Sequence, residues 1–328
     1  MKLTLNDIKK IIHGAVRVEE RDEKIFLCRF TEAQQEAYKG YKEDFYVKSF
    51  ASAGMRLEFV TDSQSISLAA DMKKASSRTW YSFDLYVNGA LIKNKKGVHG
   101  EDGTSTFSLD AELGEGEKRV ALYLPWSSST TITELCLDDG ATITPIEKEL
   151  TLLSFGDSIT QGYIAHCPSF SYTNRIADAL NATIINKGIG GEVFFPSLAE
   201  LRDDIEPDII TVAYGTNDWS HSERDVFDEN SRLFYEALAK NYPNAKIFAL
   251  APIWRPNYKT KITKVGDFEH VYEQLCEIAA SIPQITVINC FDFLPHERPS
   301  FAPDYLHPND KGFFHYANNL YAEIKKYL

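Results

Sequence analysis

Ser158 follows a predicted strand and a predicted tight turn, which is a position suited to a nucleophile. The largely apolar run 150–155 is typical of a buried strand, and Gly156-Asp157 predicts a sharp turn into a helix. The Ser158 hydroxyl would then lie at the carboxyl end of that strand, beside the free N–H groups of a helix N-terminus. Such groups stabilise an oxyanion, so we predict that Ser158 attacks a carbonyl carbon.

A serine hydroxyl is a weak nucleophile until a neighbouring base takes its proton. Residues 304–307 place Asp304 and His307 three positions apart, close enough for a carboxylate to contact the imidazole. In a triad the imidazole is the base, and the carboxylate fixes its tautomer. We therefore predict His307 as the base and Asp304 as its partner. The pair would also suit a metal ion, but no other His, Asp or Glu cluster has ligand spacing.

Two more polar segments follow strand-like runs, 186–192 and 215–218. An oxyanion needs donors that already point at it. We expect these to be the amides of Ser158 and Gly191 and the side-chain amide of Asn217. The alternative interpretation is that the glycines only permit a tight turn and that Asn217 caps a helix. Gly-x-Gly-Gly also suggests nucleotide binding, although Gly-x-Gly-x-x-Gly spacing and a Walker lysine are missing.

The elements that must bring these residues together form an alternating pattern after Pro145. Predicted strands are 150–155, 182–186, 209–214, 246–251 and 285–289; predicted helices are 171–180, 197–205, 226–241, 266–282 and 312–328. This alternation predicts a parallel sheet with helices on both faces. All the polar segments follow strands, so they should meet at the carboxyl edge of that sheet.

The first part of the chain has short alternating runs instead. Predicted strands are 16–18, 24–30, 45–48, 55–60, 65–69, 82–87, 105–109, 119–124 and 130–137, with short helices at 4–12 and 31–38. Several short strands separated by turn signals indicate an antiparallel β-sandwich or jelly roll. We place the domain boundary at residue 146, so the predicted domains are 1–146 and 147–328.

Composition limits the classes of function. The 328 residues carry a net charge of −12, which argues against nucleic acid or an anionic membrane as a partner. We expect no transmembrane segment and no signal peptide, because no apolar run is long enough. The five cysteines are widely spaced, as expected for reduced thiols in a cytoplasmic protein. We expect neither a cofactor nor a metal.

Four segments in order resemble the SGNH (GDSL-type) hydrolase superfamily. They are Gly156-Asp157-Ser158-Ile159-Thr160, Asn186 to Gly191, Gly215-Thr216-Asn217-Asp218, and Asp304 to His307-Pro308-Asn309. The resemblance covers roughly 149–328 and implies a flavodoxin-like, three-layer esterase without a metal. It assigns the nucleophile to Ser158, the base to His307 and its carboxylate to Asp304. Ser158, Gly191 and Asn217 become oxyanion-hole donors, with Gly190 or Gly188 as alternatives to Gly191.

A β-sandwich before such a domain is similar to the layout of two-domain carbohydrate acetylesterases. We therefore expect a serine esterase that removes small acyl groups, acetyl foremost, from a carbohydrate or similar polar ester. An acyltransferase using the same triad and an inactive carbohydrate-binding protein are the alternatives. Hydrolysis of a chromogenic acetyl ester separates the last from the other two.

Aromatic residues in the predicted carboxyl-edge loops could stack on a sugar ring. They are Tyr163, Phe194, Phe195, Trp219, Trp254 and Tyr258. In the first domain, Trp80, Tyr81 and Trp126 are interpreted as core residues rather than as a separate sugar site.

Overall fold

The computed structural model describes residues 1–328 and contains two antiparallel sheets and one parallel sheet. In the first part, the helices are α1 (Leu5–Ile11), α2 (Glu32–Tyr41) and α3 (Glu43–Ser49). The strands are β1 (Ile12–His13), β2 (Arg17–Arg21), β3 (Lys24–Cys28), β4 (Arg56–Thr61), β5 (Ser65–Lys74), β6 (Trp80–Val87), β7 (Ala90–Val98), β8 (Thr104–Glu112), β9 (Lys118–Tyr123), β10 (Ser128–Leu137) and β11 (Thr144–Pro145).

These strands form a β-sandwich. One sheet has the order β1-β4-β9-β6-β7 with β11 on β4, and the other has the order β2-β3-β10-β5-β8. Leu57 and Phe83 from the first sheet share one buried apolar core with Leu68 and Leu109 from the second. The predicted antiparallel sandwich is confirmed.

One local prediction in this region is wrong, and one long strand was missed. The predicted strand 45–48 lies in helix α3, where Asp44 pairs with Lys48 one turn later and acidic residues occupy the first turn. Four residues are too few to separate a strand period from a helix period. Strand β7 was not predicted, because its lysines break the apolar alternation, as is common at a sheet edge.

The second part contains the strands β12 (Leu150–Gly156), β13 (Ala182–Asn186), β14 (Ile209–Ala213), β15 (Lys246–Ala251) and β16 (Ile285–Asn289). Its helices are α4 (Ser158–Gln161), α5 (Tyr172–Ala179), α6 (Pro196–Glu200), α7 (Thr216–His221), α8 (Arg224–Asn241), α9 (Glu269–Ser281) and α10 (Asp310–Ile324).

The five strands form one parallel sheet in the order β13-β12-β14-β15-β16. This is the flavodoxin-like order, in which ligands bind at the carboxyl edge where strand order reverses. Buried apolar side chains cover both faces of the sheet. The predicted α/β fold is confirmed. Helix α6 is shorter than the predicted 197–205, because beyond Leu201 the side chain of Asp203 turns inward to bind Lys187.

The two parts of the chain pack against each other through buried apolar side chains. Phe30, Tyr38 and Phe45 from the first part lie in the same apolar cluster as Phe155 and Trp219 from the second. Helices α2 and α3 therefore cover the α/β core next to the carboxyl edge. None of the helices is both long and apolar enough to cross a lipid bilayer.

Candidate active site

Ser158 is the first residue of α4, two positions after the end of β12. Its Oγ lies 2.8 Å from Nε2 of His307, although 149 residues separate the two in sequence. His307 comes from the loop between β16 and α10, so the parallel sheet brings the two side chains to one edge. The hydrogen bond gives the serine hydroxyl a proton acceptor.

The other imidazole nitrogen of His307 is bound by Asp304. Nδ1 of His307 lies 2.7 Å from Oδ2 of Asp304, and Oδ1 accepts the amides of Leu306 and His307 at 2.9 and 3.0 Å. This tight loop holds the carboxylate in one orientation toward the ring. The serine, the histidine and the aspartate therefore form a continuous hydrogen-bonded chain.

The carboxylate of Asp304 is charged over the working range of pH. Its partial burial acts to raise its pKa, but the hydrogen bonds from the His307 ring and from the two amides outweigh that effect. Together they hold the pKa of Asp304 well below its usual range. A permanent negative charge beside Nδ1 stabilises the imidazolium that forms when Ser158 gives up its proton.

Gly191 has a free amide, whereas the other two glycines of its segment do not. Gly188 donates its amide to Asn186 Oδ1 at 2.8 Å, and Gly190 donates to Gln161 Oε1 at 2.8 Å. A Cβ on Gly188 would lie 2.4 Å from the Gln161 nitrogen, so that glycine is required for close packing on α4. Gly191 has a φ of +85° and its amide donates to no protein acceptor.

Asn217 lies in the first turn of α7 after β14. One hydrogen of its side-chain amide is donated to the carbonyl oxygen of Glu192 at 3.0 Å, which leaves the second free. Asn217 is not the N-cap of α7, since Gly215 takes that position. The Ser158 amide, in the first turn of α4, also has no acceptor within the protein.

Two fully buried acids, Glu192 and Asp218, directly follow the donors Gly191 and Asn217 in sequence. The carboxyl of Glu192 accepts hydrogen bonds from Tyr38 at 2.5 Å and Tyr214 at 2.8 Å, and complete burial raises its pKa well above the usual range. Asp218 accepts the amides of Phe194 and Gly215 at 2.9 and 3.0 Å. Burial raises the pKa of Asp218 to about 7 against these hydrogen bonds.

Asp157 directly precedes the serine in sequence and is the N-cap of α4. Its Oδ1 accepts the amide of Ile159 at 2.9 Å, which caps α4 and fixes the turn that presents Ser158. Burial raises its pKa to about 6, while that hydrogen bond and the charges of His307 and Arg255 oppose the rise.

The predicted residues share a small polar cavity of about 210 Å³. Its lining consists of Lys48, Ser76, Ser77, Ser158, Gln161, Tyr163, Gly190, Gly191, Asn217, Leu306 and His307. Asp304 does not line the cavity but contacts it indirectly, through its hydrogen bond to His307. The structure thus brings together every residue that the sequence singled out for chemistry, in one cleft between the two parts of the chain. A larger cavity, about 750 Å³, also lies between the two parts but contains none of these residues.

Three lining residues that carried no signal in the sequence come from the first part of the chain. Lys48 lies on α3, and Ser76 and Ser77 lie in the turn between β5 and β6. The Ser77 hydroxyl hydrogen-bonds the Tyr163 hydroxyl at 3.0 Å, and the Tyr163 ring packs 4.6 Å from His307. No spacing rule connects such residues to a nucleophile more than eighty positions away.

The expected sugar-stacking aromatics are placed differently from the prediction. Phe194 and Trp219 are 2% and 0% exposed and belong to the core, so the stacking interpretation is wrong for both. Phe195, Trp254 and Tyr258 pack on other aromatic rings. Of the six, Tyr163 alone lines the cavity. Tyr81 and Trp126 are buried, as predicted for core residues, whereas Trp80 is only partly buried.

Comparison with known proteins gives a family and several structural neighbours. Residues 154–313 match the model of the GDSL-like lipase/acylhydrolase family. No curated protein matches the chain. The chain is similar in structure to the salicylyl-acyltransferase SsfX3 of a tetracycline biosynthetic pathway, with a TM-score of 0.83 and 20% identity over 96% of this chain and 94% of that one.

Two carbohydrate esterases show the same fold. A family two carbohydrate esterase from Clostridium thermocellum, in complex with cellohexaose, has a TM-score of 0.66 and 19% identity over 84% of this chain and 93% of that one. The acetyl xylan esterase Est2A from Butyrivibrio proteoclasticus has a TM-score of 0.66 and 16% identity over 99% and 98%. The resemblance to the SGNH superfamily is confirmed. Residues 154–313 therefore form a domain that matches the GDSL-like lipase/acylhydrolase family model.

Proposed function

We propose that this protein is a serine esterase that removes short acyl groups, acetyl foremost, from a carbohydrate or a similar polar alcohol. Ser158 attacks the ester carbonyl while His307 takes its proton, and Asp304 stabilises the imidazolium. The Ser158 and Gly191 amides and the Asn217 side chain bind the oxyanion. His307 then protonates the leaving alcohol and activates the water that releases the acyl group.

The observation that carries this proposal is the continuous chain from Ser158 Oγ through His307 to Asp304, with distances of 2.8 and 2.7 Å. It opens onto the same cavity as Gly191 and Asn217. A nucleophile, a base and oxyanion donors around one point are the parts that acyl transfer to water requires.

The size and polarity of the cavity support a short acyl group. A volume of about 210 Å³, with only two hydrophobic residues among the eleven that line it, offers little room to a long apolar chain. We therefore expect kcat/KM to fall as the acyl group of a chromogenic ester lengthens from acetyl to octanoyl. A maximum at octanoyl would contradict the proposal.

The direct test uses the nucleophile. Wild type should hydrolyse a chromogenic acetyl ester, Ser158→Ala should fold and lose the activity, and a fluorophosphonate should label Ser158. Labelling of another serine with Ser158 unmodified would overturn the assignment. A panel of acetylated sugars would then identify the alcohol.

Acyl transfer is the second candidate, and the likeness to an acyltransferase over both parts of the chain favours testing it. The same residues would deliver the acyl group to a hydroxyl if an acceptor excluded water from the cavity. Partition of a radiolabelled acetyl group between water and added sugar acceptors distinguishes the two reactions. Acetate as the main product at saturating acceptor supports hydrolysis.

A further inference from the structure

Lys48, on helix α3 of the first part of the chain, reaches the loop that carries Gly191. Its Nζ donates to the carbonyl oxygen of Gly190 at 2.7 Å and to Oδ2 of Asp44 at 2.5 Å. The Lys48 side chain is only 15% exposed. Its own backbone carbonyl oxygen accepts Arg29 Nη2 at 3.0 Å. Both ends of the residue are therefore held in place.

Gly190 and Gly191 are the two central residues of a tight turn. The Glu192 amide donates to the Ile189 carbonyl at 3.0 Å, which closes the turn, and the φ of +85° at Gly191 is that of a type II turn. Type I and type II turns differ mainly in a flip of the central peptide. Here that peptide consists of the Gly190 carbonyl and the Gly191 N–H.

The contact at Gly190 decides where the Gly191 N–H points. A trans peptide is planar, so its carbonyl and its N–H point in opposite directions. With the Gly190 oxygen on Lys48, the Gly191 N–H is turned away from the ammonium. Gly191 lines the cavity that also contains Ser158 and Asn217.

We propose that Lys48 is a positioning residue of the oxyanion hole, which fixes and polarises the Gly190–Gly191 peptide. This inference rests on the proposed esterase function. A hydrogen bond from a cation to the carbonyl is stronger than a neutral one and draws electron density toward the oxygen. The N–H of the same peptide thereby becomes a better donor to the developing oxyanion.

Without Lys48, the neighbouring contacts leave this peptide free to turn. Gln161 holds the Gly190 N–H, but that group belongs to the preceding peptide. Two consecutive glycines impose little barrier to rotation around the central peptide. Loss of the ammonium should therefore allow the type I orientation, in which the Gly191 N–H no longer faces the cavity.

The test compares Lys48→Met with wild type on a chromogenic acetyl ester. Methionine keeps most of the aliphatic length and removes the ammonium. We expect kcat to fall about 10- to 100-fold with KM changed less than about threefold, since an oxyanion donor acts in the transition state. Lys48→Arg, which retains a charged donor, should restore most of kcat. Lys39→Met on α2, at an exposed lysine paired with Glu36, is the matched control and should behave as wild type.

A second readout is the rate at which a fluorophosphonate labels Ser158. The phosphoryl oxygen of that reagent occupies the oxyanion position, so the labelling rate should fall in parallel with kcat. If thermal unfolding shows that Lys48→Met is not folded, Lys48→Gln is used in its place. Glutamine keeps a polar group near Asp44 but is one bond too short to reach Gly190 in the same geometry.

The outcomes separate this inference from the function on which it rests. A wild-type kcat in a folded Lys48→Met or Lys48→Gln variant overturns the role of Lys48, and so does a loss confined to KM. If Ser158→Ala retains activity in the same assay, the proposed esterase mechanism itself is wrong. Both the esterase mechanism and the role of Lys48 are supported if three results are obtained. Ser158→Ala is inactive, Lys48→Met has a lowered kcat, and Lys48→Arg recovers most of kcat.

Discussion

The two sides of the cavity are held by different means. On one side, Asp304 and His307 belong to one short loop, and their contacts are local in sequence. On the other side, the loop that ends at Gly191 is held by side chains from the first part of the chain. Arg29 binds the carbonyls of Asn186 and Gly188, Tyr38 binds Glu192, and Lys48 binds Gly190.

The difference indicates what the β-sandwich part contributes. The base and its carboxylate need only the parallel sheet to bring them to Ser158. The oxyanion side has its shape set by residues that precede the sheet by more than a hundred positions. Changes on the first side should therefore act on proton transfer, and changes on the second should act on oxyanion binding and on stability.

The largest effect is expected at His307. His307→Ala removes the acceptor of the Ser158 proton, so kcat should fall by about 10⁴- to 10⁶-fold, close to the loss in Ser158→Ala. The double variant should be no worse than either single one, because the two residues act as a unit. His315→Ala, on the outer part of α10, is the control. Additive losses in the double variant would show that the two side chains act independently.

Asp304→Asn tests the role of the carboxylate that binds the imidazole of His307. Because Asp304 remains charged, it favours the imidazolium, and its loss should lower kcat by about 10³-fold or more while leaving measurable activity. The acidic limb of the pH–rate profile should move to lower pH, since the imidazole becomes less basic. Full profiles of wild type and variant are required. An unchanged height and midpoint would exclude Asp304 as the partner of His307.

Asn217→Ala tests the oxyanion side. It removes one donor and leaves the proton relay intact, so kcat should fall about 10²- to 10³-fold with a small change in KM. The midpoint of the pH–rate profile should stay where it is in wild type, in contrast to Asp304→Asn. Asn318→Ala, at an exposed position on α10, is the matched control. A shifted midpoint in Asn217→Ala would mean that the two sides are not separable.

Arg29→Met tests how much the first part of the chain stabilises the loop that ends at Gly191. Arg29 is 0% exposed and donates to four carbonyl groups, those of Ala51, Asn186, Gly188 and Lys48. Loss of these bonds should lower the free energy of unfolding by about 4 kcal/mol, roughly 1 kcal/mol for each acceptor. Denaturant titration measures this. Arg21→Met, at an exposed arginine, should change stability by less than about 0.5 kcal/mol.

The smallest effect concerns Asp157, the fully buried acid that directly precedes Ser158. Its pKa is raised to about 6 from 3.8, so between these values the folded state binds more protons than the unfolded state. Stability from this group is therefore present at low pH and lost as pH rises toward 6 and above. Relative to Asp157→Asn, wild type should lose about 2.4 kcal/mol between pH 4 and pH 7. A constant difference across this range would contradict a buried, perturbed carboxyl.

Much of the α/β part could be predicted from the sequence, because buried parallel strands are continuous apolar runs. Strands β13, β15 and β16 begin and end at the predicted residues. The edge strand β7 and the helix α3 were missed or misassigned, because their residues do not show a clear period. Their conformations depend on what they pack against.

In the site, too, some residues could be predicted from the sequence and others could not. Ser158, Asp304 and His307 were identifiable because each is defined by residue type and by its place after a strand, and the resemblance to a known superfamily marked them further. Which of three glycines has a free amide was decided by hydrogen bonds to Asn186 and Gln161, which no spacing reveals. Lys48 and Tyr38 look like ordinary residues of short helices, and Arg29 looks like an ordinary residue of the loop between β3 and α2. Only the packing of α2 and α3 on the α/β core brings them to the loop, because contacts between distant segments depend on tertiary structure and leave no local pattern.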